Sequence, residues 1–379
     1  MIKLSDVCMF QSGGTPSRKN SEYFNGDIPW VTTTALNGGT ISLENANEWI
    51  TLKAIEESAA KLVPAPSILV GTRVGVGKVA INLVPMSTSQ DIISLLGIDQ
   101  NQWNLEFLCK FISSKSAYLN SQARGATIKG IKIETLAELE LPSYSIPEQH
   151  LISSAFNSLE KSISLRKQQL AKLDELVKSR FIELFGDNVP TAKLGDVCRM
   201  INGDRGKNYP SGDDFVENGV PFVNAGHLQN RKVDFCDMNY ITEEKFNLLS
   251  QGKMQAGDIL YCLRGSLGKH GLVDFERGAV ASSLVILRCN QEQVLPQFLL
   301  YALETPEIEL QLKAANNGSS QPNLSAASVK AYDIKLPTIE QQKQFVSFVE
   351  QTDKSKFEIQ KSLEKLETLK KALMQKYFG

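Results

Sequence analysis

The feature that most constrains this chain is an internal repeat that spans nearly all of its 379 residues. The hexapeptide KLSDVC at residues 3–8 returns as KLGDVC at 193–198, and Phe185-Gly186 returns as Phe378-Gly379. The offset between matched positions stays between 190 (Lys3 to Lys193) and 195 (Leu141 to Leu336). Because the matches are collinear, the sequence predicts two copies of one module.

Further matched pairs carry the repeat through the interior of each copy. They are 28–31 with 220–223, 68–69 with 259–260, Arg73 with Arg264, 77–78 with 268–269, 141–142 with 336–337, and 148–149 with 340–341.

Each copy ends in about forty residues that have the pattern of a long helix. Capping-box sequences, Ser145-x-x-Glu148 and Thr338-x-x-Gln341, follow a Leu-Pro pair in both copies. The first helix has apolar residues in 4-3 spacing at 152, 156, 159, 163, 170, 173, 177 and 184, with Arg166 and Arg180 at the remaining seam positions. The second stripe is less regular, at 345, 348, 359, 363, 366, 373 and 377. Stripes this narrow are typical of a coiled-coil seam.

Neither helix can bury its stripe alone, and each would reach roughly 60 Å at 1.5 Å per residue. We therefore expect the two helices to pack on each other as an antiparallel pair that acts as a spacer. A stalk that dimerises the protein is the alternative interpretation.

The parts before each helix have the patterns of globular domains that mix strands and helices. Strands are expected at 68–70, 80–84, 92–96 and 284–287, and helices at 104–114 and 296–304. The predicted fold class is α/β (α+β), with two globular domains, two long helices in an antiparallel coiled coil, and an internal pseudo-two-fold repeat. The predicted boundaries are 1–146 and 190–337 for the domains and 147–189 and 338–379 for the helices.

The charge balance excludes binding of nucleic acid by bulk electrostatic attraction, since the net charge is −1. Residues 1–146 carry 12 Lys and Arg against 13 Asp and Glu, and residues 190–337 carry 15 against 17. If the chain binds DNA, local loops or a partner must neutralise the phosphates.

Six cysteines without a Cys-x-x-Cys spacing argue against zinc fingers and against a disulfide scaffold. The chain has no run of eighteen apolar residues and no apolar segment at its start. We therefore expect a cytoplasmic protein without membrane contact.

The sequence contains no recognisable catalytic or cofactor pattern. Gly77-Lys78 lacks the upstream glycine and the following Ser or Thr of a phosphate loop, where Thr72 and Val79 stand instead. The three histidines have no metal-ligand spacing, and the Asn-Pro-Pro or Asp-Pro-Pro tetrapeptide of amino-methyltransferases is missing. We predict a chain that performs no catalysis and binds no metal or cofactor.

The chain has two unlike domains, and each is followed by a Leu-Pro pair, a Glu-Gln pair and a long helix. Each of these motifs is weak alone, but their order is specific because it occurs twice. The loop SGGTPS at 12–17 and the segment GSSQPNL at 318–324, matched by GATIKGI at 125–131, add to it. In the order of these motifs, the chain resembles the specificity subunit of type I restriction-modification systems. The second copy departs from the pattern, because NGDRGK at 202–207 replaces the Gly-Gly-Thr-Pro loop.

The resemblance implies that each globular domain recognises one half of a split double-stranded DNA target. The helices would fix the distance between the halves and bind two methyltransferase subunits, which carry S-adenosylmethionine. Motor subunits that cut DNA can join such a complex. Because the loops differ between the copies, the two half-sites should differ.

Bases are read by Arg, Lys, Asn, Gln, Ser and Thr side chains on loops. The predicted DNA contacts in the first domain are Thr15, Ser17, Arg18, Lys19, Thr33, Arg73, Lys78, Gln90 and Arg124. Those in the second domain are Arg205, Lys207, Asn208, Asn224, His227, Arg264, Lys269, Ser282 and Gln321.

Residues that differ between the copies, such as Arg18 and Asn208, are the better candidates for base specificity. Arg73 and Arg264 occupy equivalent turns, so they are expected to brace the fold or to touch phosphate rather than to read a base. Trp30 and Phe222 follow a proline in matching positions and are expected in the core rather than as a stacking platform for bases.

Two alternative functions remain open at this point. One is a self-contained DNA methyltransferase or nuclease, and the other is a scaffold that joins two protein partners.

Overall fold

The computed structural model describes residues 2–125, 129–186, 189–316 and 323–379. The chain forms two compact units, and each is treated by itself. Unit 1 consists of Met1–Lys167 and Lys361–Gly379, and unit 2 consists of Gln168–Gln360. Each unit therefore contains one globular part together with a segment of both long helices.

Within its described residues, unit 1 has nine strands in two sheets. They are β1 Met9–Ser12, β2 Phe24–Val31, β3 Thr40–Ile41, β4 Glu48–Ile50, β5 Leu62–Val63, β6 Ser67–Gly71, β7 Val79–Asn82, β8 Met86–Thr88 and β9 Ile92–Leu96. One sheet has the order β1-β9-β6-β7-β3, and the other has the order β4-β2-β8-β5. All residues of β6, β7 and β8 are buried, because both faces of these strands are covered.

The helices of unit 1 pack against both of its sheets. They are α1 Leu52–Glu57, α2 Leu105–Ser114, α3 Ser116–Gln122, α4 Ile133–Ala137 and the first part of α5 Ile146–Phe185. Helix α1 packs on β2, and α2 packs on β6 and β7. Asn104 caps α2 by accepting a hydrogen bond from the backbone N–H of Phe107 at 2.8 Å. Phe107 and Phe111 of α2 pack on Phe378, with ring centroids 5.3 and 6.2 Å apart.

Unit 2 repeats the same plan with additional edge strands. Its strands are β10 Thr191–Lys193, β11 Cys198–Asn202, β12 Phe215–Val216, β13 Val220–Val223, β14 Leu228–Gln229, β15 Arg231–Val233, β16 Asn239–Ile241, β17 Lys253–Gln255, β18 Ile259–Cys262, β19 His270–Leu272, β20 Arg277–Val280, β21 Leu284–Cys289 and β22 Asp333–Lys335. Its helices are α6 Leu194–Val197, α7 Glu243–Leu248, α8 Pro296–Ala302, α9 Pro306–Ala315, α10 Ala326–Lys330 and part of α11 Ile339–Phe378.

The strand pairings confirm the duplication. The antiparallel pairs β1–β9, β6–β9 and β6–β7 return in unit 2 as β11–β21, β18–β21 and β18–β19. The parallel pairs β2–β8 and β3–β7 return as β13–β20 and β15–β19. Repetition of both the order and the direction of the strands shows that the two copies share one topology.

The two long helices begin as the sequence predicts, and both are 40 residues long. The backbone N–H of Ser145 donates to Glu148 at 2.8 Å, and that of Thr338 donates to Gln341 at 3.1 Å. One turn after Ser145 and Thr338, the buried Gln149 and Gln342 make equivalent bonds to the backbone of their own globular parts. The Oε1 of Gln149 accepts from the N–H of Asn104 at 2.9 Å, and the Oε1 of Gln342 accepts from the N–H of Leu295 at 2.8 Å.

Within each unit the helix segments run antiparallel, so that prediction and the predicted fold class are confirmed. In unit 1, Lys370 lies 2.8 Å from Glu160, while Lys167 lies 3.0 Å from Glu367. In unit 2, Lys356 lies 2.6 Å from Asp174, and the rings of Phe181 and Phe345 are 5.3 Å apart. Among the described residues, no helix is long and apolar enough to cross a membrane.

The predicted seam at the end of α5 is wrong. Leu184 is exposed, whereas Phe181 and Phe185 are buried. Both rings pack on Phe298 of α8, at 5.5 and 5.3 Å. The helix end enters the core of unit 2, so the globular packing, and no longer the seam, decides which residues are buried there.

Candidate nucleic-acid interface

The loop after β1 is held tightly against the turn that precedes β9. A Cβ at Gly13 would collide with the carbonyl oxygen of Ser89, and the Nε1 of Trp30 donates to the carbonyl oxygen of Gly14 at 3.1 Å. Only glycine fits this close approach of two backbones. The arrangement brings Thr15 to Gln90, and the Thr15 hydroxyl donates to the Oε1 of Gln90.

Four of the predicted DNA contacts in unit 1 form a continuous exposed surface, which we call the first surface: Thr15, Arg73, Gln90 and Arg124. Asp91 follows Gln90 and lies 3.8 Å from the Nη1 of Arg73. A Cβ on Gly130 would lie 2.8 Å from the Cγ of Arg73. Gly130 in turn exchanges two backbone hydrogen bonds with Arg124, at 2.9 and 3.0 Å.

The equivalent second surface in unit 2 consists of Arg205, Arg264 and Ser282. A Cβ on Gly203 would lie 2.6 Å from the carbonyl oxygen of Ala281, just as a Cβ on Gly13 would collide with the carbonyl oxygen of Ser89. The Nη2 of Arg205 donates to the carbonyl oxygen of Ser282 at 3.3 Å. Arg264 forms an isolated antiparallel bridge with Asn323. The same backbone frame thus presents different side chains in the two units.

Asp204 anchors the loop that carries Arg205. Its Oδ2 accepts from the backbone N–H of Ser250 at 2.7 Å and from the Ser250 hydroxyl at 2.9 Å, while its Oδ1 accepts from the N–H of Arg205 at 2.7 Å. Burial raises the pKa of this carboxyl, but the hydrogen bonds from Ser250, Arg205 and Gln251 outweigh that effect and hold the pKa below its ordinary value.

We expect Asp204→Ala to lower the free energy of unfolding of unit 2 by about 2 kcal/mol at pH 7, because it leaves buried donors without an acceptor. The pKa of the carboxyl is depressed in the folded state. Its stabilisation is therefore present above the unfolded-state pKa of about 3.9 and is lost as the pH falls through the folded-state value. Denaturant unfolding of both proteins at a series of pH values measures this. If the difference in unfolding free energy between the two proteins stayed constant down to pH 2, the stabilising role given to the Asp204 carboxylate would be contradicted.

A second group of predicted contacts in unit 1 lies around Arg18. Its Nη2 donates to the Oε1 of Glu48 at 2.6 Å, and its guanidinium lies 5.7 Å from the centre of the Phe24 ring. These residues line a cleft of about 490 Å³ together with Trp49. Ser17 and Lys19 are exposed on the same loop. Lys78 is exposed and shares with Arg73 a different cleft of about 640 Å³.

Two of the predicted contacts have buried side chains: Thr33 is 5% exposed and His227 is 6% exposed. The Nδ1 of His227 accepts from the N–H of Asn224 at 3.1 Å, so its Nε2 is the donor to the carbonyl oxygen of Asp237 at 3.2 Å. Lys269 donates to the carbonyl oxygen of Ala225 at 3.1 Å. Asn224, His227 and Lys269 therefore form a group that supports the loop at 224–227.

The remaining predicted residues are placed as follows. Lys207 is exposed and Asn208 is half-buried, both on the loop that Asp204 anchors. Gln321 lies outside the described residues. Trp30 and Phe222 are each 4% exposed, which confirms that they belong to the core.

Asp91 and Asp204 contact residues of the two surfaces, and the sequence reasoning missed both. Asp91 directly follows the predicted Gln90, and Asp204 lies inside the NGDRGK loop. Neither position has a spacing that distinguishes it from a solvated acid, so only the fold shows what each carboxylate contacts.

The family model for the type I restriction modification DNA specificity domain matches residues 1–175 and again residues 187–371. The chain belongs to this family. The two matches correspond to the two copies of the repeat, and the resemblance found in the sequence is confirmed.

Known relatives carry the same description. The MjaIX specificity subunit of Methanocaldococcus jannaschii is 30% identical over 251 residues, which cover 60% of this chain and 57% of that protein. The EcoBI specificity subunit of Escherichia coli is 20% identical over 74% of this chain and 66% of its own length. The MjaVIII subunit of M. jannaschii is 21% identical over 99% of this chain and 90% of its own length. The chain thus spans less than two thirds of the first two relatives.

Solved structures show the same fold. A type I restriction-modification S subunit from M. genitalium matches with a TM-score of 0.58 and 16% identity, over 100% of this chain and 95% of its own. A chain from a study of complex assembly and conformational transition in a type I system matches with a TM-score of 0.66 and 18% identity, over 100% and 96%.

Proposed function

We infer that this chain is the DNA sequence-specificity subunit of a type I restriction-modification complex, in which each globular part recognises one half of a bipartite, asymmetric target. The observation that carries this proposal is the pair of equivalent surfaces. Both are built on the same strand ends, and they differ in the side chains that they expose. Such a pair suits two unlike half-sites, because shared backbone positions each domain while different side chains select bases.

The exposed members of the predicted set are the proposed DNA contacts, and the half-buried Asn208, Asn224, Lys269 and Ser282 join them at the edges of the loops. The side chains of Thr33 and His227 are buried, so these two residues are not proposed to touch DNA directly. Gln321 remains part of the proposal on sequence grounds alone. The boundaries 1–146, 147–189, 190–337 and 338–379 are proposed as target-recognition domains and spacer helices.

The proposed partners are double-stranded DNA, two methyltransferase subunits docked on the long helices, and motor subunits that cut DNA. Two copies of the helix pattern in one chain support two methyltransferase subunits. S-adenosylmethionine would be bound by those subunits, so this chain is proposed to be non-catalytic. We place the complex in the cytoplasm, where its DNA lies.

Methyl transfer with and without partners tests this assignment. We expect the purified chain to transfer no methyl group from S-adenosylmethionine to DNA, and the complex with its methyltransferase subunits to do so at one motif. Transfer by the chain alone would contradict the proposal and favour a self-contained methyltransferase. A complex that ignores DNA sequence would favour a scaffold between two proteins.

A further inference from the structure

The second surface borders a cleft of about 480 Å³ in unit 2. Two arginines line it, Arg205 and Arg264, together with the polar side chains of Asn202, Gln251 and Asn323. No acidic side chain is among the described residues that line it. Within the described part of the chain, neither arginine makes an ion pair with a carboxylate, so the cleft has an excess of positive charge.

The loop that supplies Arg205 is fixed before any ligand arrives. Three hydrogen bonds of 2.7 to 2.9 Å hold the Asp204 carboxylate to Ser250 and to the N–H of Arg205. Among the residues that the structure describes, the guanidinium of Arg205 itself bonds a carbonyl oxygen, that of Ser282, and no carboxylate. An anion entering the cleft would therefore meet a preorganised cation without displacing a carboxylate.

Unit 1 differs at one equivalent position. The backbone N–H of Thr72 donates to the carbonyl oxygen of Asp91 at 2.8 Å, and that of Leu263 donates to the carbonyl oxygen of Ser283 at 2.8 Å. Asp91 and Ser283 therefore occupy the same place in the two copies. Asp91 lies 3.8 Å from Arg73, whereas Ser283 offers Arg264 no charge.

We propose that the cleft of unit 2 holds a phosphodiester group of the DNA backbone, and that Arg264 contributes to the salt dependence of binding while its counterpart Arg73 largely does not. The inference rests on the proposed function and adds an asymmetry to it. An arginine that meets phosphate displaces counterions, whereas one already compensated by a carboxylate displaces fewer.

The test measures how the affinity of the reconstituted complex for its target duplex falls with salt. Each phosphate neutralised contributes about 0.9 to the slope of log K against log salt. Arg264→Ala is expected to reduce the slope by about that amount, equivalent to a three- to fourfold smaller loss of affinity between 50 and 200 mM salt. Arg73→Ala, the matched variant in unit 1, should reduce the slope by less than half as much.

The reciprocal variants change the residue at the position that Asp91 and Ser283 share in the two copies. Ser283→Asp should lower the slope as Arg264→Ala does, and Asp91→Ser should steepen it. Arg264→Lys keeps the charge and should keep the slope, and a melting temperature for each variant identifies any that fails to fold. At equal ionic strength, replacing chloride by inorganic phosphate should leave affinity unchanged. If phosphate lowered the affinity of the unaltered complex for its duplex but not that of the Arg264→Ala complex, the cleft would be a site for free phosphate, and the proposal would be overturned.

The proposal would also be overturned if Arg73→Ala and Arg264→Ala reduced the salt slope equally. The same holds if the Arg264→Ala complex kept its salt slope and lost its preference at one base pair, because Arg264 would then read a base. These outcomes leave the proposed function standing, provided the unaltered complex prefers its target over a scrambled duplex. If it shows no such preference, both the proposed function and the phosphate cleft fail.

Discussion

Replacing residues 1–146 with the corresponding domain of a relative is expected to change one half of the methylated motif and to leave the other half unaltered. The physical reason is that the first surface lies entirely in unit 1 and the second entirely in unit 2. Side chains on one surface can select bases only where they reach them. Methylome sequencing of cells that carry the chimaera together with the methyltransferase genes measures both halves at once.

The exchange has one structural requirement. Phe378 of α11 packs on Phe107 and Phe111 of unit 1, so the incoming domain must present large apolar residues at those places. The matched control exchanges residues 190–337 and should change the opposite half. If either chimaera altered both halves, recognition would not divide between the two globular parts.

Inserting one heptad into both long helices is expected to lengthen the gap between the half-sites by about three base pairs. Seven residues keep the seam in register and add about 10 Å at 1.5 Å per residue, and base pairs are spaced about 3.4 Å apart. Suitable insertion points follow Lys167 and Gln360, where the chain passes between the two compact units. Methylation should also weaken, because three base pairs turn the duplex by roughly 100°.

A heptad in α5 alone is the control for this variant. It leaves the two stripes unmatched in length, so we expect a lower melting temperature and loss of methylation. An unchanged gap after the double insertion, with methylation intact, would show that the helices do not set the spacing.

The sequence predicted most of the architecture because its signals are redundant between the copies. The Lys-Leu-x-Asp-Val-Cys repeat and the two capping boxes located both helices, and the observed α5 and α11 begin within a residue of the predicted boundaries. The buried face of α11 follows a more regular 4-3 spacing than its apolar residues alone indicated. Thr352, Lys356 and Lys370 occupy seam positions and are buried or half-buried, but polar residues give no apolar stripe to count.

The candidate surfaces were only partly predictable. The repeated turn containing Arg73 and Arg264 and the loops after β1 and β11 could be located, because glycines mark them in both copies. Burial of Thr33 and His227 depends on long-range packing that no local pattern encodes. The pairing of Arg73 with Asp91 joins residues 18 positions apart through the fold, so the charge that distinguishes the two units is visible only in three dimensions.

Sequencing the methylome of cells that express this chain with its methyltransferase subunits tests the central claim most directly. The account predicts methylation at one motif made of two unlike half-sites separated by a gap of unspecified bases. A palindromic motif, a continuous motif, or methylation without sequence preference would contradict it.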